Sequence, residues 1–191
     1  MVLRMQLPEQ NQWAASGTSC YHGDTMVLSK EELISSLQHE VHILTHLAGK
    51  IDPSKLGYKP TENQRTTLEL LQYLNIMGPE LAPNIKNGKF DAEAWGAAQK
   101  TTAALDFDAL LKSLAGQSQF YEKEFGSWTD DDFRTLVDMF GQKASRGAHI
   151  VRLVLGGHAA YRTQLFCYLK SCGCADLSTW NLWGGVDAPA Q

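Results

Sequence analysis

Apolar residues recur at three- and four-residue steps in several long segments of the chain, which is the pattern of amphipathic helices. The first segment begins at the capping box Ser29–Glu32 and ends at Asp52-Pro53, because a residue before proline avoids the helical region. A second capping box, Thr61–Gln64, predicts the start of the second helix, which Gly78-Pro79 loosens or ends. A shorter helical piece is expected over residues 90–98.

The second half of the chain continues the helical pattern. Asp106 is predicted to cap a third long helix, and Thr129 to begin a short segment. The last long helix is expected over residues 145–171, while residues 133–140 fit either helix or strand. No strand alternation is sustained. The pattern therefore predicts an all-α four-helix bundle with short extra helical segments and an irregular aromatic tail, containing Trp180 and Trp183, that packs back on the bundle.

Length and composition narrow the class of protein. The 191 residues, 43% of them hydrophobic, fit one globular domain over 27–187, with a flexible leader over 1–26 and a tail over 188–191. Met26 is an alternative start. The net charge of −4 argues against a general nucleic-acid binder, and no apolar run is long enough to cross a bilayer. Because no export signal is evident, we expect a cytoplasmic protein whose cysteines are reduced. The spacing of the cysteines is not that of a zinc site. They are Cys20, Cys167, Cys172 and Cys174.

Three histidines on the first helix are candidate ligands of a metal ion. His42 and His46 are four residues apart, a spacing that can chelate nickel or zinc on a helix face. However, these two residues and His39 lie nearly opposite the apolar stripe of the helix. A solvated polar face is therefore the favoured interpretation, and adventitious nickel or zinc binding there would not contradict it.

His158 differs because it lies on the apolar stripe of the last helix. Arg162 is one turn further on, and Tyr161 and Gln164 are nearby. Such a group forms either a hydrogen-bonded network in the core or the wall of a ligand pocket between helices. The sequence leaves both interpretations open.

Three segments resemble the DinB-like superfamily. Residues 65–74 (RTTLELLQYL) resemble the second helix of that family, 159–170 (AAYRTQLFCYLK) its last helix, and 180–187 (WNLWGGVD) the tail of one branch. The resemblance covers residues 29–187. It implies a four-helix bundle that is often dimeric, so a homodimer is expected. Many members of the superfamily hold nickel or zinc with three histidines. Some members are thiol-dependent S-transferases.

The resemblance implies that the three ligand positions fall on Tyr73, Gly157 and Tyr161, none of which is histidine. His158 is one residue from the nearest of these positions, which is about 100° around a helix, so it cannot simply replace that ligand. No three-histidine metal site is therefore expected. Tyr73 and Tyr161 are predicted to meet across the bundle.

The leading hypothesis is a DinB-like bundle protein without the metal and without an assigned catalytic residue, and whether it is an enzyme stays open. A pocket between the helices is expected, either as a small-molecule site or as a relic of one, around Tyr73, His158, Tyr161, Arg162 and Gln164. One alternative is a metal-dependent S-transferase or hydrolase-like enzyme with a rearranged nickel or zinc site that uses His158. Another is a non-enzymatic homodimeric interaction module anchored by the tail tryptophans.

Overall fold

The protein is described here by a computed structural model that covers residues 28–189, so the predicted leader, Cys20 and the alternative start Met26 lie outside the described residues. The helices are α1 (Lys30–Ala48), α2 (Thr67–Asn87), α3 (Ala92–Ala103), α4 (Phe107–Gly126), α5 (Asp130–Arg134), α6 (Arg146–His149) and α7 (Gly156–Ser171). Helix α1 packs against α4 and α7, and α2 packs against the same two helices and α3. This arrangement confirms the predicted all-α four-helix bundle.

The connection before the last helix contains a β-hairpin. Strand β1 (Leu136–Met139) pairs antiparallel with β2 (Gln142–Ser145) through a turn in which Phe140 and Gly141 have positive φ. Helix α6 then leads through the π-helical turn Ile150–Leu155 into α7, so the last helix is continuous over the predicted range. Within residues 28–189, no helix combines the length and the apolarity that crossing a bilayer requires.

Most helix starts could be predicted from the local sequence. Ser29, Asp106 and Thr129 cap α1, α4 and α5 as predicted. The predicted start at Thr61 is wrong, since α2 begins after Thr66, whose hydroxyl accepts the Glu69 N–H at 3.1 Å in a second capping box. Residues around Thr61 form only a turn. Helix α3 also begins later and runs further than the predicted 90–98 segment.

The predicted end of α2 at Gly78-Pro79 is wrong as well, because the helix continues to Asn87. Proline has no N–H, so Pro79 leaves the carbonyl of Asn75 without its helical donor. The side-chain amide of Gln117 on α4 supplies that donor, at 3.2 Å from the Asn75 oxygen and 2.9 Å from the Leu74 oxygen. A side-chain contact across the bundle thus replaces the missing bond.

Two apolar clusters fill the bundle, one toward each end, and a layer of buried polar side chains separates them. Leu37 and Phe125 belong to the first cluster, and Leu44 and Leu165 to the second. On α2, α4 and α7 the polar members fall between the residues of the two clusters, and on α1 Glu40 lies three residues before the second cluster begins at Ile43. This polar layer consists of Glu40, Asn75, Gln117, His158 and Arg162.

Candidate functional site

A cavity of about 490 Å³ opens beside the polar layer, between α2, α3, the hairpin and the last helix. Its volume falls within the range of small-molecule sites. A second depression of about 450 Å³ continues from it along α2 and α3 and shares Arg65, Tyr73 and Gln99. The first cavity is lined by Arg65, Tyr73, Met77, Leu81, Phe90, Trp95, Gln99, Phe140, Arg152, Leu153, Gly157 and Tyr161.

Tyr73 of α2 and Tyr161 of α7 meet across the bundle at the inner side of this cavity. Their ring centroids are 4.8 Å apart in an edge-to-face arrangement, which is a favourable geometry for aromatic pairs. Burial raises the pKa of Tyr73 to about 12, and hydrogen bonding to Tyr161 adds to this rise. Both phenols are half-buried. At neutral pH Tyr73 is therefore a protonated phenol, hydrogen-bonded to Tyr161, in the lining of a ligand-sized space.

Arg65 covers the outer face of this tyrosine pair. Its guanidinium carbon lies 4.1 Å from the centroid of the Tyr73 ring and 5.9 Å from that of Tyr161. The backbone of Arg65 is fixed from α7, because the Tyr168 hydroxyl donates to the Arg65 carbonyl at 3.0 Å and the Gln164 amide donates to Tyr168 Oη at 2.6 Å. Gln164 therefore lies outside the cavity but supports the residue that lines it.

The cavity lining is positively charged. Arg65 and Arg152 line it, and within the described part of the chain no Asp or Glu belongs to its lining. Glu69 lines the adjoining depression, where its Oε2 accepts the Thr66 N–H at 2.7 Å. The Thr66 hydrogen bonds lower the pKa of Glu69, and the charges of Lys59 and Arg65 lower it further. The carboxylate of the adjoining depression is thus already engaged in capping α2.

His158 points away from the cavity into a closed cluster. Its Nε2 lies 2.6 Å from the hydroxyl of Tyr121, which donates to Gln117 Oε1 at 3.2 Å. If the proton of the neutral imidazole is on Nε2, each group donates to the next: His158 to Tyr121, Tyr121 to Gln117, and Gln117 to the α2 carbonyls. Both rings are fully buried, and burial lowers the pKa of His158 to about 4 and raises that of Tyr121. A Cβ on Gly78 would overlap the Tyr121 hydroxyl, so this contact requires glycine there.

Arg162 lies on another face of α7, toward α1 and the tail. Its Nε is 3.3 Å from Glu40 Oε2, and its guanidinium carbon is 5.2 Å from the centroid of the Trp183 ring. Burial raises the pKa of Glu40, and the Arg162 charge opposes that rise. The pair thus belongs to the buried contact between α1, α7 and the tail.

The histidines of α1 meet the tail, which packs back on the bundle as predicted. His39 Nε2 lies 3.0 Å from the Trp183 carbonyl, and His46 Nε2 lies 3.0 Å from Asn181 Nδ2. The prediction of a solvated face is wrong for His46, which is half-buried. His42 is exposed, but its ring lies against Gly185, where a Cβ would be 2.7 Å from His42 Cδ2.

Of the five predicted pocket residues, the structure brings only Tyr73 and Tyr161 together at one cavity. The other three lie elsewhere: His158 beside Tyr121, Arg162 beside Glu40 and the tail, and Gln164 beside Tyr168. Sequence reasoning missed Arg65 and Trp95, since a loop residue and a short-helix residue carry no periodic signal. It also missed Tyr121, although a stripe at three- and four-residue steps signals it on α4: Leu110, Leu114, Gln117, Tyr121 and Phe125.

Comparison with solved structures yields a DinB-like protein from Bacillus subtilis, YjoA. It aligns with a TM-score of 0.60 and 21% sequence identity over 76% of this chain and 94% of its own. The chain has a DinB-like fold. No protein-family model matches the sequence. A search of curated proteins gives no significant match either.

Within the DinB-like fold, the three positions to which the resemblance assigns metal-ligating histidines converge on the cavity. Tyr73, Gly157 and Tyr161 all line it. They offer two phenols and a glycine without a side-chain donor. Across residues 28–189, no group of three or more His, Cys, Asp or Glu is arranged to hold a metal ion.

Proposed function

We propose that this chain is a DinB-like bundle protein that binds a small organic ligand in the Tyr73–Tyr161 cavity without a metal ion. One observation carries the proposal: the positions that would hold the metal meet at a ligand-sized cavity, but their side chains are two phenols and a hydrogen atom. Phenols offer a ligand hydrogen bonds and aromatic faces.

The residues present do not fit nickel or zinc. Zinc sites in proteins use Cys, His, Asp or Glu, and a phenol needs to lose its proton before it is a strong ligand. Tyr73, with a pKa of about 12, resists that loss at neutral pH. The positive charges of Arg65 and Arg152 in the same lining also oppose a cation. No chemical step is therefore assigned to a metal here.

Metal titration tests the first half of the proposal. The purified protein is loaded with Ni²⁺ or Zn²⁺, desalted and measured by elemental analysis. We expect less than one equivalent of retained metal, and the same value for Tyr73→Phe. His42→Gln serves as the control for adventitious binding on α1. Stoichiometric metal that is lost in Tyr73→Phe or His158→Gln would contradict the proposal and favour a rearranged metal site.

A fragment screen tests the second half. Neutral, anionic and cationic aromatic fragments are added to protein with ¹³C-labelled tyrosine, and the Tyr73 and Tyr161 signals are followed. Tyr58, which packs against Tyr168 in the second apolar cluster, is the internal control. We expect at least one fragment to shift the cavity tyrosines alone. If no fragment of any charge does so, the cavity is not a binding site.

We propose self-association through the tail as a second candidate, because Trp180 and Trp183 remain 50% and 65% exposed on a tail that is itself anchored. Exposed tryptophans are frequent anchors of protein interfaces. Light scattering on the wild type and on the double variant Trp180→Ser, Trp183→Ser tests this. A dimer that becomes a folded monomer in the variant supports the candidate, and a wild-type monomer removes it.

A further inference from the structure

We propose that the ligand of the cavity is an organic anion, with a planar carboxylate carried on a flat apolar or aromatic body. This inference rests on the proposed function and adds the class of ligand. Charge, guanidinium geometry and an aromatic wall on one side of the cavity support it independently.

The charge of the lining is opposite to the charge of the protein. The chain carries 21 acidic and 17 basic residues, yet the side chains that line the cavity include two arginines and no carboxylate within the described residues. Across residues 28–189, neither Arg65 nor Arg152 forms an ion pair with a carboxylate; Arg152 instead contacts His149 Nδ1 at 3.2 Å. The local field thus favours an anion at this place.

The position of Arg65 suits a carboxylate in particular. Its guanidinium packs against the Tyr73 ring, and its carbonyl is tied to Tyr168. Stacking on an aromatic face occupies the plane of a guanidinium but leaves its N–H groups free along the edge. Such an edge binds a carboxylate through two parallel hydrogen bonds. The Tyr73 and Tyr161 hydroxyls beside it are further hydrogen-bonding groups.

The rest of the cavity provides an aromatic wall. From Tyr73, ring centroids follow at 6.1 Å to Trp95, then 5.6 Å to Phe90 and 5.4 Å to Phe140. Phe140 is 61% exposed at the tip of the hairpin, which leaves apolar surface for a ligand to cover. A molecule with its carboxylate at Arg65 therefore finds an aromatic surface for its body, made of rings tilted by 49° to 61° from one to the next.

Three probes of one shape test the charge requirement: naphthalene-2-carboxylate, its neutral amide and the naphthylmethylammonium cation. Calorimetry on the full chain at low salt should give a dissociation constant at least tenfold lower for the carboxylate than for the amide, and the weakest binding for the cation. Arg65→Gln should bring the carboxylate to the level of the amide. Lys123→Gln, an exposed charge change on α4 away from the cavity, should leave all three unchanged.

The outcomes separate this inference from the proposed function. If carboxylate and amide bind equally and Trp95→Ala weakens both, the cavity binds ligands but the inference of an anion is wrong. If the carboxylate binds the Arg65→Gln, Arg152→Gln double variant as tightly as the wild type, the inference is likewise overturned. If none of the probes shows binding that depends on Trp95, the proposed function itself fails. Circular dichroism verifies that every variant is folded.

Discussion

The last helix carries two polar rings three residues apart, His158 and Tyr161, and their environments are opposite. His158 lies in a closed cluster in which its Nε2, Tyr121, Gln117 and the α2 carbonyls are hydrogen-bonded in series, while its Nδ1 has no hydrogen-bond partner among the described residues. Tyr161 pairs with Tyr73 at the wall of an open cavity. A fully buried polar group contributes to stability only while its partners are complete, whereas a half-buried one keeps capacity for a ligand. We therefore expect the first pair to contribute to stability, and we propose the second for binding.

Acid should affect the closed cluster most. The folded state holds the pKa of His158 at about 4 against an ordinary 6.5, so the unfolded chain binds more protons between these values. Stability should fall as the pH falls from 6.5 toward 4, by about 3 kcal/mol in total. Urea unfolding at a series of pH values measures this. In His158→Gln the loss over the same range should be clearly smaller; an identical pH dependence would contradict the assignment.

A methyl group at position 78 should have the next largest effect. Replacing glycine by alanine inside a helix ordinarily gains about 1 kcal/mol, but here the new Cβ meets the Tyr121 hydroxyl and lies 3.0 Å from His158 Nε2. We expect Gly78→Ala to destabilise the protein by about 2 kcal/mol, a typical cost of overpacking. Gly116→Ala on α4 is the matched control, because nothing lies within 4 Å of its Cβ. Thermal melts of both should shift in opposite directions.

Removing one hydroxyl from each pair compares the two sites directly. Tyr121→Phe leaves buried groups of His158 and Gln117 without a partner, which should cost about 1.5 kcal/mol. Tyr161→Phe leaves a half-buried neighbour that water reaches, so we expect a loss below about 0.5 kcal/mol. Chemical denaturation measures both values. Equal costs would remove the distinction between a closed and an open site.

The smallest effect concerns the acidity of Tyr73. Burial is the main cause of its raised pKa, and Tyr161 is the second. Tyr161→Phe should therefore lower the pKa of Tyr73 from about 12 without returning it to 10, and should leave folding intact. Titration of the ¹³Cζ signal of Tyr73 measures this value. An unchanged pKa would mean that the two hydroxyls do not interact.

How much the sequence predicted depends on the range of the interactions involved. Ser29 and Asp106 were recognised because a cap and its partner lie within three residues. The helix start predicted at Thr61 was wrong because two capping-box patterns lie close together, and only the one at Thr66 continues into α2. Gly78 and Pro79 read as a stop because their compensating partners, Tyr121 and Gln117, lie about forty residues away on α4.

The candidate site was predictable only in its inner part. The family resemblance identified Tyr73 and Tyr161, and the structure shows their contact. It did not indicate that Arg65, Trp95 and Phe140 line the cavity, because the connecting loop, α3 and the hairpin bring these three there and none of these positions follows from helical periodicity. His158 and Arg162 lie on the same apolar stripe in the sequence. In the structure His158 contacts Tyr121 on α4, whereas Arg162, one turn further on, contacts Glu40 on α1 and the tail.

The π-helical turn Ile150–Leu155 holds one residue more in its turn than an α-helix would. One extra codon in an α-helical segment would produce such a turn. Deleting one residue there, for example the exposed Val151, would rotate everything before it by about 100° relative to α7. Because β2 ends where α6 begins, the hairpin and Phe140 would turn with it. One codon can thus reshape the mouth of the cavity while Gly157 and Tyr161 stay in place.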